Sequence, residues 1–299
     1  MNKLLSLTKR NTLIYYRTKG NIFFSMLAVI ILIALHFFVF RNMMTDNWEQ
    51  VVKEFQGFEI SREKLLWIND SLMFAAIIPI SGVTVSLVAL GLMTADREKN
   101  VLNDFLVAPV NRGTLLASYL GGSIITGIIC HILFIIFFGI YFYAAFGILF
   151  SLLQILMLLA ISIGSLVFAN IFLLLLISFV KSEQSLGAIG TILGTSIGFI
   201  SGSYIPVSMF GKTLSNVFSS LPFMQLTVIS KKVFLYEIEK HTSFKQDMLG
   251  GEIGRSFGLE LWIGRKVIPV WATALMTAGF TLVLLVLLIV RFSKMKKAD

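Results

Sequence analysis

Long stretches without Asp, Glu, Lys or Arg dominate the chain: residues 21–40, 71–95, 113–180, 184–211 and 267–290. A bilayer hydrocarbon core of about 30 Å is crossed by about 20 helical residues rising about 1.5 Å each. Four of these runs fit one crossing apiece, and 113–180 fits two joined by an uncharged turn near Tyr141–Phe150. The pattern predicts an all-α, polytopic membrane protein with six transmembrane helices. Their expected positions are about 21–40, 72–94, 115–140, 151–180, 186–205 and 268–290. Alternating segments of about ten residues, the mark of a membrane β-barrel, are absent.

The polar intervals carry their own patterns. In residues 2–18, Lys3, Arg10 and Arg17 recur every seventh position while Leu4, Leu5, Tyr15 and Tyr16 gather opposite. Residues 1–20 thus read as an interfacial amphipathic helix with its basic stripe towards anionic lipid, or alternatively as a disordered basic tail. Trp48 and Trp67 among the charges of 41–70 fit an external loop lying at the interface. Between Thr94 and Gly113, Val101, Leu102, Phe105 and Leu106 share one helical face between two charged clusters, and Pro109 ends the turn. Such a helix can rest on the membrane or seat its apolar face in a groove of another protein.

In the fifth span Gly190, Gly194, Gly198 and Gly202 fall every fourth residue, a groove that another helix can approach closely. Packing within the chain, an inter-subunit seam and a substrate-lining surface all fit that stripe. Pro206 stops this helix, and the apolar stretch to Pro222 is too short for two crossings, which suits a shallow re-entrant hairpin. Residues 206–267 form an external loop whose part 231–266 is polar enough for a small subdomain. His36, His131, Gln154 and Asn170 are the notable polar residues of spans one, three and four, expected to be satisfied by neighbouring helices.

Composition agrees with embedding: 57% of the 299 residues are hydrophobic and 14% charged. The N-terminal segment carries Lys3, Lys9, Arg10, Arg17 and Lys19 without an acid, and the C-terminal tail Arg291, Lys294, Lys296 and Lys297. Lys and Arg favour the cytoplasmic side, so both termini are expected inside a plasma membrane and 41–70 outside. The basic 206–267 runs against this, although loops of that length cross regardless of charge. A net charge of +9 fits membrane lipid headgroups and gives no indication of nucleic acid. No cleavage site for a signal peptide precedes Arg41, and the single Cys130 lies within a span, where it has no intramolecular disulfide partner.

Candidate chemistry is sparse. Gly211-Lys212-Thr213 ends like a P-loop, but Pro206 occupies the place of its first glycine. No HExxH, paired-Cys or Gly-x-Ser-x-Gly pattern occurs, so no catalytic or metal-ligating residue is assigned and the chain reads as no enzyme. None of the expected spans holds an ionisable Asp, Glu, Lys or Arg, which speaks against an ion-coupled secondary carrier acting alone. Sodium sites built from backbone carbonyls stay open, while a channel lacks a charged ring or filter.

The six-span layout, the N-terminal helix, the hairpin DREKNVLNDFLVAPVNR and the segment SGSYIP…LPF together resemble ABC-2 type transporter permeases over nearly the whole chain. In that family the loop after span two reads like E-R-E-x-G-T, then a short apolar helix, S-P and a basic residue. Asp96, Arg97, Glu98 and Lys99 match its charged part, and Leu106, Pro109 and Arg112 its later part, while Asn100-Val101 replace Gly-Thr. The resemblance implies that the hairpin is a coupling helix seated in a cytoplasmic ABC ATPase. It implies two permease chains, identical or related, with two ATPase copies that bind the ATP and Mg, leaving no cofactor in this chain. It also implies that Pro206–Pro222 closes the outer mouth and that substrate moves outward. A hydrophobic drug or antimicrobial peptide suits the uncharged spans, with a lipid-linked glycan or lipid as the alternative.

Overall fold

A computed structural model describes residues 3–56, 61–101, 105, 110–204, 210–236, 254, 257–264 and 266–295. In chain order the helices are α1 (Lys3–Arg17), α2 (Lys19–Leu35), a π turn (His36–Phe40), α3 (Arg41–Gln56), α4 (Arg62–Glu98), α5 (Arg112–Phe146) and α6 (Leu152–Ile177). They continue with α7 (Glu183–Ile200), α8 (Gly211–Ser219), α9 (Pro222–Phe234) and α10 (Val270–Met295). Before α10 lies an antiparallel pair, β1 (Leu261–Ile263) and β2 (Lys266–Ile268), with Leu261 opposite Ile268. The chain is all-α as expected, and among the described residues this small hairpin is the one strand pair.

Among the described residues, five helices are long and apolar enough to cross a membrane: Lys19–Gln50, α4, α5, α6 and Val270–Phe292. They cover the expected spans one to four and six. The expected fifth span corresponds to α7, whose 18 residues begin with Glu183 and Gln184 and hold four glycines. At about 1.5 Å per residue α7 measures about 27 Å.

α4 is the central pillar, with 89% of its most apolar window buried. It packs against α2, α3, α5, α6, α7 and α9. Its length, about 55 Å at about 1.5 Å per residue, exceeds a hydrocarbon core of about 30 Å, so it projects beyond one. Gly82 admits α6: a Cβ there would sit 2.7 Å from Ser165 Oγ. Phe74 meets Phe138 at 4.6 Å between ring centres, and Phe138 and Phe142 of α5 reach Phe234 of α9.

The polar residues foreseen within the spans bond across helices, although His131 Nδ1 and Asn170 Oδ1 stay without a partner among the described residues. His131 Nε2 lies 3.0 Å from Ser81 Oγ. Asn170 donates to Ser86 Oγ at 2.9 Å, and Gln154 to the carbonyls of Val233 and Phe234. Each joins helices that have no water to bond in the apolar layer.

Two segments differ from expectation. Residues 41–70 are mostly helical: α3 continues the axis of α2 through the π turn, and α4 starts at Arg62. Trp48 and Trp67, expected at an interface, are 6% and 4% exposed. Protein contacts outcompete the interface here, since Trp48 stacks on Phe257 at 3.6 Å. In α1 the buried residues are Thr8, Asn11 and Tyr15, whereas Leu5 is 63% exposed and Arg10 turns to the protein. That face packs on α5 because Gly122 leaves room: a Cβ there would lie 2.9 Å from Asn11 Cβ. Pro206 falls outside the described residues, and Pro222 opens α9 at a position where a missing N–H costs nothing.

Candidate functional site

The base of the Thr94–Gly113 hairpin is tied on several sides. Asp96, 4% exposed, accepts from Arg10 Nη1 at 2.8 Å and Nη2 at 3.0 Å, and from Tyr119 Oη at 2.6 Å. The fork geometry makes this a strong, oriented pair. Hydrogen bonding to Asp96 raises the Arg10 pKa, so the guanidinium stays charged. Arg97 donates to the Val180 carbonyl at 2.6 Å. Glu98 accepts from the Glu183 backbone N–H at 2.7 Å, while Lys99 lies 3.5 Å from the Glu183 carboxylate. The hairpin and the short turn before α7 thus form one connected end of the bundle.

Helix α4 ends at Glu98, and Asn100, two residues on, has φ of +59°. Asparagine tolerates this left-handed conformation better than most residues other than glycine. Asn100 therefore fills the place of the glycine in the E-R-E-x-G-T pattern. Val101 is half-buried, and Phe105, also half-buried, lies beneath the Arg10 guanidinium at 5.2 Å. Leu102, Leu106 and Pro109 lie outside the described residues. Arg112 starts α5 after Asn111, whose side chain accepts from Gly113 N at 3.0 Å. α1 thus contacts the hairpin, a link that the seven-residue spacing of its basic residues did not foretell.

A cleft of about 920 Å³ lies between α2, α4 and α7, walled by apolar side chains such as Phe24, Leu27, Ile31, Leu87 and Leu92. Lys99 and Glu183 stand at one end and Tyr204 also lines it. The structure divides the glycine stripe. Gly190 faces Leu87, 3.0 Å from a Cβ built there, whereas Gly194 meets nothing within 4 Å. Gly198 lies against the Tyr204 ring with no space for a Cβ, and Gly202 lies beyond the helix in a turn with φ of +66°. The first two line the cleft.

At the other end of α4, Asp70 gathers His36, Arg41 and Tyr141. Asp70 and Asp96 stand about 39 Å apart along α4 at about 1.5 Å per residue, so the two ionic knots bracket the uncharged run 71–95. His36 was expected to be satisfied near the end of span one; its carboxylate partner was not foreseen. The signal was there, since Asp70 is the last charge before that run and Arg41 the first after the first one.

These features define a polytopic helical membrane protein with an apolar interhelical cleft and a braced polar hairpin at one end. A family model described as an ABC-2 family transporter protein matches residues 52–290, and the chain belongs to that family. No curated protein and no solved structure matches it. Among the described residues no group of three or more His, Cys, Asp or Glu stands ready to hold a metal.

Proposed function

We propose that this chain is the permease subunit of an ATP-driven exporter in the plasma membrane, moved by a separate ABC ATPase that grips the 96–112 hairpin from the cytoplasm. One observation carries the reading: α4 holds the hairpin at its end and lines the cleft along its last third through Thr84, Leu87, Val88, Gly91, Leu92 and Ala95. A push on the hairpin therefore reaches the cleft through a single buried helix. ATP and Mg bind to two ATPase copies, and their closure shifts two permease chains between inward- and outward-open states. Net transport requires that substrate bind the two states with different free energy. Both termini lie in the cytoplasm, and α7 forms the fifth of six crossings.

The apolar cleft wall suits a hydrophobic or amphipathic substrate, a drug or an antimicrobial peptide. The open face at Gly194 serves either the substrate or a second permease chain. A Cβ at Gly194 meets nothing within 4 Å, so Gly194→Leu is expected to leave thermal stability unchanged while reducing export or dimer recovery several-fold. Wild-type export and wild-type dimer recovery would show that this face meets only lipid.

The coupling role is tested by Phe105→Asp, co-expressed with an ABC ATPase from the same cell. The expected outcome is loss of the ATPase from the purified complex, by tenfold or more, with the permease still folded. Undiminished co-purification would remove the hairpin from the interface.

A further inference from the structure

Three Asp or Lys side chains are buried among the described residues: Asp70, Asp96 and Lys231. Both aspartates pair with an arginine. Lys231, in the last turn of α9 and 5% exposed, makes one hydrogen bond among the described residues, to the Phe257 carbonyl at 3.3 Å. An ammonium carries three donors, and a buried cation without a counter-charge is costly. Burial pushes the Lys231 pKa down to about 8, which still leaves it cationic at pH 7.

Lys231 faces a pocket of about 60 Å³ shared with Trp48, His36, Asn69, Ser203 and Tyr204. The Trp48 indole N–H is buried there without an acceptor among the described residues, and its ring is fixed by stacking on Phe257. The other polar groups are engaged: His36 with Asp70, Asn69 with the Arg41 carbonyl and Thr45, and Ser203 with Ser201. What remains is a cation with a single carbonyl acceptor and no counter-charge, and a neutral donor with no acceptor, among the described residues. The volume is several times the roughly 10–15 Å³ that one water needs, sufficient for a carboxylate or phosphate group and too small for a sugar. Tyr204 lines both this pocket and the large cleft, so the two adjoin.

We propose that Lys231 and Trp48 form a subsite for an oxyanion, a carboxylate or phosphate group, adjoining the cleft. Lys231 supplies the charge and Trp48 an oriented N–H. The subsite stands on these residues alone and is independent of the coupling hairpin, so it survives failure of the ATPase test above.

The test uses the full chain in nanodiscs of zwitterionic lipid, with thermal unfolding followed while sodium acetate or inorganic phosphate is added. A second arm replaces the lipid with phosphatidylglycerol. Ligand that binds only the folded state raises Tm. A rise of several degrees with acetate or phosphate assigns the site to a free or substrate-borne anion. A rise only with phosphatidylglycerol assigns it to a lipid headgroup. In either case Lys231→Met is expected to weaken the response at least tenfold. Trp48→Phe, which keeps the stack, is expected to weaken it several-fold and serves if the lysine variant does not fold.

Acetate keeps constant charge above pH 6, so its affinity should fall as pH rises through about 8 and the Lys231 ammonium is lost. His36 and Tyr204 are the other titratable groups lining the pocket, with Asp70 behind His36. No rise in any arm, or an equal rise in the variants, overturns the proposal.

Discussion

Replacing Asp70 with alanine is expected to cost about 3 kcal/mol of stability, at the lower end of the range for breaking a buried ion pair. The carboxylate is fully buried and holds four short contacts: His36 Nε2 at 2.8 Å, Arg41 Nε at 2.9 Å, Arg41 Nη2 at 2.8 Å and Tyr141 Oη at 2.6 Å. Its loss leaves the Arg41 guanidinium without a counter-ion and the Tyr141 hydroxyl without its acceptor. Arg41 keeps a quarter of its side chain exposed, so water relieves part of the penalty. Tyr141→Phe removes the hydrogen bond to Asp70 and a long one from Arg41 Nη2 at 3.4 Å, and should cost only about 1 kcal/mol. Thermal unfolding of the purified protein separates the two. Asp70→Ala should lower Tm by several degrees more than Tyr141→Phe, and equal Tm values would show that the knot contributes little.

Asp96→Ala is expected to release α1. Arg10, which clamps that helix to α4, loses both carboxylate contacts, and the buried Tyr119 hydroxyl loses its acceptor. Arg10 is 30% exposed and so partly solvated, which places the local cost at about 2–3 kcal/mol. Opening of α1 should become about 30- to 140-fold more frequent, since about 1.4 kcal/mol is a factor of ten. Trypsin, cutting after Lys9, Arg10 or Arg17, reads this directly as faster N-terminal cleavage with the remaining helices intact. Arg10→Gln, which also lifts the cation from the Phe105 ring, should give a similar rate. An unchanged cleavage rate in Asp96→Ala would mean that the Gly122 contact alone holds α1 down.

How much of this was legible in the sequence follows from what kind of force sets each feature. Membrane helices arise from long uncharged runs, so five of them stood at the expected places once the polar ends were extended. The hairpin was visible because its charges and apolar residues are contiguous. Pairings between distant positions were not. Arg10 with Asp96 and Arg41 with Asp70 are fixed by which helices become neighbours; the sequence marks Asp70 and Arg41 only as the charges bordering two uncharged runs and does not say that they meet. Arg10 read as a lipid-facing residue because its seven-residue spacing with Lys3 and Arg17 describes a helix face without saying what lies opposite. The glycine stripe misled in another way: four-residue spacing implies one groove only while the helix lasts, and α7 ends at Ile200, before Gly202. Trp48 looked like an interfacial anchor because aromatic rings among charges usually are; its stacking partner Phe257 is too distant in sequence to be anticipated.

The most direct test of the central claim is transport by the chain reconstituted in liposomes with its ABC ATPase. ATP-dependent movement of a fluorescent hydrophobic substrate is expected, abolished by vanadate and by Phe105→Asp. Transport at full rate by this chain without ATPase or ATP, driven by an ion gradient, would contradict it.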